Sequence, residues 1–122
     1  MAAVNIDNKN TPDELIVGLP LYTDTNTDKY DVGMVKVYQF KLIKSRWEAN
    51  KVATLSPVEL TSGSRFGFAV ANLGDIHSDG FDDFAVSAPY FGEEKTGAIF
   101  IYRGYNPGAS DNTKFFDHEH GE

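Results

Sequence analysis

Short apolar segments, interrupted at close intervals by Gly, Pro, Asn and Asp, run along most of the chain. Their residues are mostly β-branched or aromatic, and they rarely recur at the spacing of a helical face. The pattern predicts β-strands at residues 14–22, 33–43, 50–57, 65–73, 83–91 and 97–104. Residues 23–31 and the tail from Tyr105 onward are polar and rich in turn formers, which predicts loops.

The last of these strands indicates how the predicted sheets pack. Residues 97–104 are largely apolar on both faces, which is typical of a strand that lies between two layers. We therefore expect an all-β fold in which one sheet packs on another.

An internal repeat relates the two halves of the chain. Residues 13–22 and 82–91 share acidic residues, an apolar stretch and an aromatic residue, and Pro20 aligns with Pro89 at a separation of 69 positions. Residues 33–38 match residues 97–102 at a separation of 64, so the first copy has five more residues in its connecting loop. A unit of about four short strands that recurs in this way is typical of a solenoid or a propeller, in which each unit needs neighbours.

Composition and charge narrow the possible partners. The 122 residues are 41% hydrophobic, enough for one modest core, and carry a net charge of −7, which opposes binding to nucleic acid or anionic lipid. No apolar run approaches the roughly 20 residues of a membrane helix, so we expect no membrane contact. The absence of cysteine excludes disulfides, thiolate metal sites and cysteine nucleophiles.

The stretch at 74–89, GDIHSDGFDDFAVSAP, places potential metal ligands at alternate positions. These are Asp75, His77, Asp79, the carbonyl of Phe81, and Asp83. Gly80 permits the sharp turn that lets the ligands converge, as in a calcium loop. The twelfth position is Val86 rather than the glutamate of an EF-hand, so the ion would lie between strands. Imidazole is a poor calcium ligand, which makes His77 the weak position, and a solvated turn is the alternative interpretation.

The equivalent stretch of the first repeat, residues 5–14, is degenerate. It retains Asn5, Asp7 and Glu14 as weak candidate ligands, but Lys9 lies in the middle and the glycine is absent. An ammonium group there would neutralise the carboxylates without an ion. We expect metal binding chiefly at the second loop.

Motifs of the common hydrolases and nucleotide-binding enzymes are absent from the sequence. There is no G-x-S-x-G, H-E-x-x-H or G-x-x-x-x-G-K-[ST]. The carboxylates lie in one tight loop, whereas paired acid catalysts need to face each other from separate positions. The sequence predicts a protein that is not an enzyme.

Residues 65–104 resemble an FG-GAP repeat of the integrin alpha subunit propeller. Phe66 and Gly67 match the FG, Ser87-Ala88-Pro89 replaces Gly-Ala-Pro, and the metal loop lies between them. Residues 13–40 are similar to the second half of a preceding repeat, with Gly18-Leu19-Pro20 as its variant GAP. The resemblance covers roughly residues 2–107, and both GAP motifs depart from the family pattern.

The resemblance implies a fragment of about two blades from a seven-bladed β-propeller. Residues 1–60 would form a partial repeat, residues 61–107 a repeat with its calcium loop at 75–83, and residues 108–122 the start of the next blade or a polar tail. Calcium would stiffen the blade without catalysis, and Phe66 and Gly67 would be architectural.

The resemblance further implies the extracellular head of a single-pass cell-surface receptor. With an integrin beta subunit it would bind extracellular-matrix or cell-surface ligands in cell adhesion, and these two blades would pack on neighbouring blades. Two alternatives remain open: an accessory FG-GAP propeller of a secreted phospholipase-type enzyme, and a free-standing calcium-binding repeat module.

Overall fold

The computed structural model describes residues 2–4, 14–76, 78, 80–104 and 116–121. The sheets contain eight strands: β1 Ala2–Val4, β2 Glu14–Leu19, β3 Met34–Ile43, β4 Arg46–Leu55, β5 Val70–Gly74, β6 Asp83–Ala88, β7 Ala98–Gly104 and β8 Phe116–Gly121. They form two four-stranded antiparallel sheets in the orders β1-β2-β3-β4 and β5-β6-β7-β8. Each sheet is one blade, which confirms the all-β prediction.

The boundaries of several predicted strands were wrong, for identifiable reasons. β2 and β6 end immediately before Pro20 and Pro89, because proline cannot donate a hydrogen bond to a sheet. The strand predicted at 65–73 begins only at Val70, since Arg65 and Gly67 have φ angles of 56° and 93° and bend the backbone. The tail predicted to be loop contains strand β8, which pairs with β7.

The pairing register confirms the internal repeat. Leu15 lies opposite Tyr38 in the first blade, and Phe84 lies opposite Tyr102 in the second. These pairs are related by the same separations, 69 and 64, that align the two sequences. One irregularity distinguishes the second blade, where the register of β5 against β6 shifts between Asn72 and Gly74.

One hydrophobic core contains side chains from both blades. The first blade contributes Ile16, Val35 and Val37, which lie on one face of its sheet and are fully buried. The second blade contributes residues from β6 and β7. The buried hydrophobic residues of these two strands are Phe84, Val86, Ala88, Ala98, Phe100 and Tyr102. Burial raises the pKa of Tyr102 above its usual range, with a smaller contribution from the charge of Glu59.

The two blades contribute non-equivalent faces to this core. The repeat relates Ile16, Val35 and Val37 of the first blade to Ala85, Ile99 and Ile101 of the second. These three residues, which we call the open face of the second blade, are partly or largely exposed, and Ile99 is 54% exposed. The blades therefore pack front to back, and each keeps one face that its counterpart buries.

A connecting segment, residues 60–69, holds the blades together. Within it, the Phe66 backbone N–H donates to the Val32 carbonyl at 3.0 Å, and the Gly67 N–H donates to the Ser87 carbonyl at 3.0 Å. The Phe66 ring is fully buried and packs edge-on against Phe100, with a centroid separation of 5.2 Å. The segment thus joins the first blade to the second through both backbone and side chain.

The connecting segment approaches the first blade too closely for side chains. A methyl group on Gly18 would overlap the Gly67 carbonyl oxygen, and one on Gly33 would overlap the Phe66 backbone. Gly33 also has a φ of 90°, which other residues rarely adopt. Glycine at these positions permits the two blades to meet.

We expect Gly18→Ala to lower the free energy of unfolding by about 3 kcal/mol, because the added methyl forces two backbones apart. Gly92→Ala is the control, since Gly92 has a φ of 97° but no atom within 4 Å of the added methyl. It should cost about 1 kcal/mol from backbone strain alone. Urea unfolding followed by circular dichroism measures both, and equal losses would contradict the close-approach argument.

Candidate metal loop

The candidate loop connects β5 to β6 and begins at Asp75. The shift in register between Asn72 and Gly74 places one additional residue in β5 immediately before it. The Asn72 Oδ1 accepts a hydrogen bond from the Gly74 N–H at 2.8 Å and stabilises this irregularity.

The first half of the loop closes on Asp75. Its Oδ2 accepts a hydrogen bond from the Gly80 N–H at 2.7 Å, so that the chain returns toward its starting point. Ser78 and Gly80 have φ angles of 56° and 86°, which produce this reversal. Gly80 thus lies where the backbone turns back toward Asp75.

Asp83, the first residue of β6, anchors the other end of the loop. Its side chain is fully buried, its Oδ2 accepts from the Ile76 N–H at 3.0 Å, and its Oδ1 accepts from the Gly104 N–H at 3.0 Å. A buried carboxylate must be compensated by hydrogen bonds or by positive charge. Asp83 thereby ties the loop to the end of β7.

Two of the predicted ligands lie at the two ends of the described loop. Asp75 and Asp83 belong to one closed loop, and Phe81 is partly buried between them in sequence. His77 and Asp79 lie outside the described residues. Within the described ranges no group of three His, Cys, Asp or Glu side chains is close enough to hold a metal.

The donor set nevertheless fits a hard cation. Each carboxylate oxygen that accepts one N–H retains a second lone pair, so the hydrogen bonds to Asp75 and Asp83 leave coordination possible. Carboxylate oxygens in a loop reversed at glycine are groups of the kind that calcium favours as ligands. The part played by the Gly104 N–H is not visible in the sequence, since a backbone donor from a strand 21 residues away leaves no residue-type signal.

The first blade differs at the equivalent position. Asn5 and Asp7 lie outside the described residues, whereas Glu14, the counterpart of Asp83, is only 4% exposed. The Gln39 Nε2 donates to Glu14 Oε1 at 3.4 Å. In the first blade a neutral amide from β3 thus contacts the carboxylate. In the second blade the corresponding carboxylate, that of Asp83, accepts from backbone N–H groups.

A separate acidic turn, at residues 24–29, has an internal explanation. Asp24 Oδ2 accepts from the Thr27 hydroxyl at 2.8 Å, and its Oδ1 accepts from the Asn26 N–H at 2.9 Å. The Thr27 hydroxyl is the main cause of a lowered pKa of Asp24. These contacts define a local turn that the sequence assigned to loop.

Known proteins match the chain in the region of this loop. The FG-GAP repeat family matches residues 66–102. Integrin alpha-PS2 of Drosophila melanogaster is 40% identical over 75% of the chain and 7% of its own length; integrin alpha-5 of Xenopus laevis is 38% identical over 86% of the chain and 10% of its own length. Integrin alpha-V of Gallus gallus is 39% identical over 75% of the chain and 8% of its own length.

The chain belongs to the FG-GAP repeats of the integrin alpha family. It spans a tenth or less of the length of these relatives. The resemblance inferred from the motifs is therefore confirmed, and the relatives agree with the expectation that the chain is not an enzyme. Among the described residues, no helix is long and apolar enough to cross a membrane.

The two motifs that give FG-GAP its name meet in the structure. The Gly67 N–H donates to the Ser87 carbonyl, and the Ser87 N–H donates to the Ala69 carbonyl at 2.9 Å. The Ser87 hydroxyl, present where the family pattern has glycine, accepts from the Ala69 N–H at 3.0 Å. Pro89 follows Ala88, the last residue of β6, and limits that strand, as Pro20 limits β2. The altered residue thus adds a hydrogen bond to the junction.

We expect Asp83→Ala to lower the free energy of unfolding by about 2–4 kcal/mol without any metal, because it leaves the Ile76 and Gly104 N–H groups without their acceptor. Asp82→Ala, one residue earlier and only partly buried, is the control and should cost less than about 1 kcal/mol. Guanidinium unfolding in excess chelator measures both. Similar stability of the two variants would contradict the anchoring role of Asp83.

Proposed function

We propose that this chain forms calcium-stabilised blades of an integrin alpha propeller. The complete protein would be a cell-surface adhesion receptor, with the propeller outside the cell, and would pair with an integrin beta subunit to bind matrix or cell-surface ligands. The observation that carries this proposal is the recurrence of one four-stranded unit with the same register, joined by the FG segment. The integrin alpha relatives support the assignment of this unit to the receptor family.

Calcium would be held by Asp75, Asp79, the Phe81 carbonyl and Asp83, with His77 contributing weakly. Asp75 accepts from Gly80 and Asp83 accepts from Ile76 and Gly104, so an ion at this loop would bind groups that already link β5, β6 and β7. Its role would be structural, because it neutralises carboxylates that otherwise repel one another. Asn5, Asp7 and Glu14 would form a weaker site in the first blade.

The open faces support a requirement for neighbouring blades. Ala85, Ile99 and Ile101 of the second blade correspond to residues that the first blade buries completely. On the first blade, Leu15, Val17 and Tyr38 remain partly exposed, although their counterparts Phe84, Val86 and Tyr102 are buried. A further blade on each side would repeat the observed packing and cover both faces.

We propose the following division of the chain. Residues 1–60 form one repeat unit and residues 61–107 contain the FG-GAP repeat with its calcium loop. Within residues 108–122, the pairing of β8 (Phe116–Gly121) with β7 supports assigning that strand to the outer edge of the second blade.

Calcium titration of the chain tests the metal assignment. We expect one ion to bind with a dissociation constant of about 10⁻⁴–10⁻³ M, the range of weak extracellular sites. Asp75→Asn should weaken binding by about tenfold or more, because it removes a charged ligand while keeping the oxygen that accepts from Gly80. Isothermal titration calorimetry measures both.

Asp82→Asn is the matched control for the titration. It removes the same charge from the same loop at a position outside the ligand alternation, and we expect less than about a threefold loss of affinity. Equal losses in the two variants would indicate non-specific attraction to an acidic loop. No binding to a folded chain would overturn the calcium assignment.

The open faces predict self-association of the isolated chain. Ile99→Glu should shift the sedimentation coefficient toward that of the monomer, since it places a charge on the open face of the second blade. Val58→Glu is the control, because Val58 is 89% exposed and lies outside the two open faces. Sedimentation velocity over a range of concentrations measures the effect. A wild-type chain that stays monomeric throughout would contradict the prediction.

A further inference from the structure

A two-stranded arm, residues 39–51, continues past the last residues that pair with β2 in the first blade. The pairing of β2 with β3 ends at Leu15 and Tyr38, whereas β3 and β4 continue to pair as far as Ile43 and Arg46. Five residues of β3 thus project past the last rung shared with β2, a length of about 17 Å. Residues 43–51 are all exposed.

The second blade allows only a partial comparison with this arm. In the second blade, β7 ends at Gly104, two residues beyond its last pairing with β6 at Tyr102. The corresponding point in the first blade is Phe40, after which β3 continues to Ile43. The residues that follow Gly104 in the second blade, 105–115, lie outside the described residues, so the arm is a feature described for the first blade alone.

The arm is basic, although the chain as a whole is acidic. Residues 39–51 contain four basic residues and one acidic residue, which leaves seven basic and seventeen acidic residues for the remainder. The side chains of Lys44, Arg46 and Lys51 are exposed. Positive charge is thus concentrated on a narrow projection from a negative body, a distribution that directs an anionic partner to the arm.

The turn places two of the four basic residues at the tip. Lys44 and Ser45 have φ angles of 52° and 63°, the conformation of a tight two-residue hairpin. Lys44 therefore occupies the extreme end of the arm, and Arg46 begins the returning strand. Trp47, the single tryptophan of the chain, follows and is 58% exposed. Arg46 and Trp47 are neighbours in β4 and therefore lie on opposite faces of the arm, and the exposed indole provides a spectroscopic probe near the tip.

We propose that the arm binds a sulfated polysaccharide. A linear polyanion has a shape that suits a narrow arm. The arm is about 17 Å long and the Debye length at physiological salt is about 8 Å, so the charge of the acidic body is screened from polymer bound at the tip. The choice of sulfated polysaccharide over anionic lipid or nucleic acid rests on the proposed function. An extracellular segment meets polysaccharides, whereas anionic lipids concentrate in the cytoplasmic leaflet.

Fluorescence of Trp47 during titration with a heparin dodecasaccharide tests this proposal. We expect saturable binding that weakens as salt increases, because association releases counterions from the polyanion. Lys44→Glu should weaken binding by about tenfold, since it reverses a charge at the tip. Self-association of the chain would change its apparent affinity for the polymer. All titrations therefore use one fixed protein concentration, at which sedimentation gives the same mass for all variants.

Lys95→Glu is a closely matched control. Lys95 is also an exposed lysine in a turn, its φ is 55°, and its replacement changes the net charge by the same amount. We expect its affinity for heparin to stay within about twofold of the unaltered chain. Equal losses in the two variants, or no fluorescence change at 50 mM salt with a chain whose circular dichroism shows β-structure, would overturn the proposal.

Two further ligands distinguish the chemistry of the partner. Desulfated heparin should fail to bind, which would support recognition of sulfate. Vesicles containing phosphatidylserine that bind more tightly than heparin would overturn the polysaccharide assignment in favour of a membrane. Calcium binding and heparin binding are measured separately on the same chain, and the heparin titration is run with and without calcium. A chain that binds heparin but not calcium would reject the proposed metal function. A chain that binds calcium but not heparin would reject the role of the arm.

Discussion

The backbone of the connecting segment lies against strands of both blades, and the arrangement of the molecule depends on that contact. Phe66 and Gly67 donate to carbonyls of different blades, at Val32 and Ser87. The approach is possible only because Gly18 and Gly33 carry no side chain at the points of contact. Once this backbone is fixed, the Phe66 ring is directed into the core and meets Phe100 and Tyr102. The packing of two sheets is thus determined by a short segment that belongs to neither.

Front-to-back packing follows from the use of one unit twice. If both blades buried the same face, the pair would be complete and neither would need another neighbour. Instead, Ile16 and Val37 are buried while their counterparts Ala85 and Ile101 are not. An interface of this kind continues until it closes on itself or meets a different cap. The requirement for more blades is therefore present in the exposure of individual side chains, independently of the relatives.

Much of this arrangement could be predicted from the sequence, because a repeat preserves register as well as residue type. When the separations of 69 and 64 positions are applied to the pair Leu15 and Tyr38, they give the observed pair Phe84 and Tyr102. The C-terminal ends of β2 and β6 were predicted less accurately from the sequence, although Pro20 and Pro89 give a local reason for them. The bend at Arg65 could not be predicted from the sequence, because a positive φ at arginine is imposed by tertiary contacts. One such contact is the hydrogen bond from the Arg65 N–H to the Asp31 carbonyl at 3.1 Å.

The candidate loop shows the same division between local and long-range information. Alternating carboxylates and Gly80 are visible in the sequence because each acts through its own residue type. The compensation of Asp83 by Ile76 and Gly104 is not visible, because any residue except proline can supply a backbone N–H. These bonds satisfy the buried Asp83 carboxylate from within the protein, so the fold itself holds the end of the loop that joins β7, and a bound cation would act mainly around Asp75. An ion there would add stability to the loop between the blade strands, whereas the union of the blades would still depend on Phe66 and Gly67.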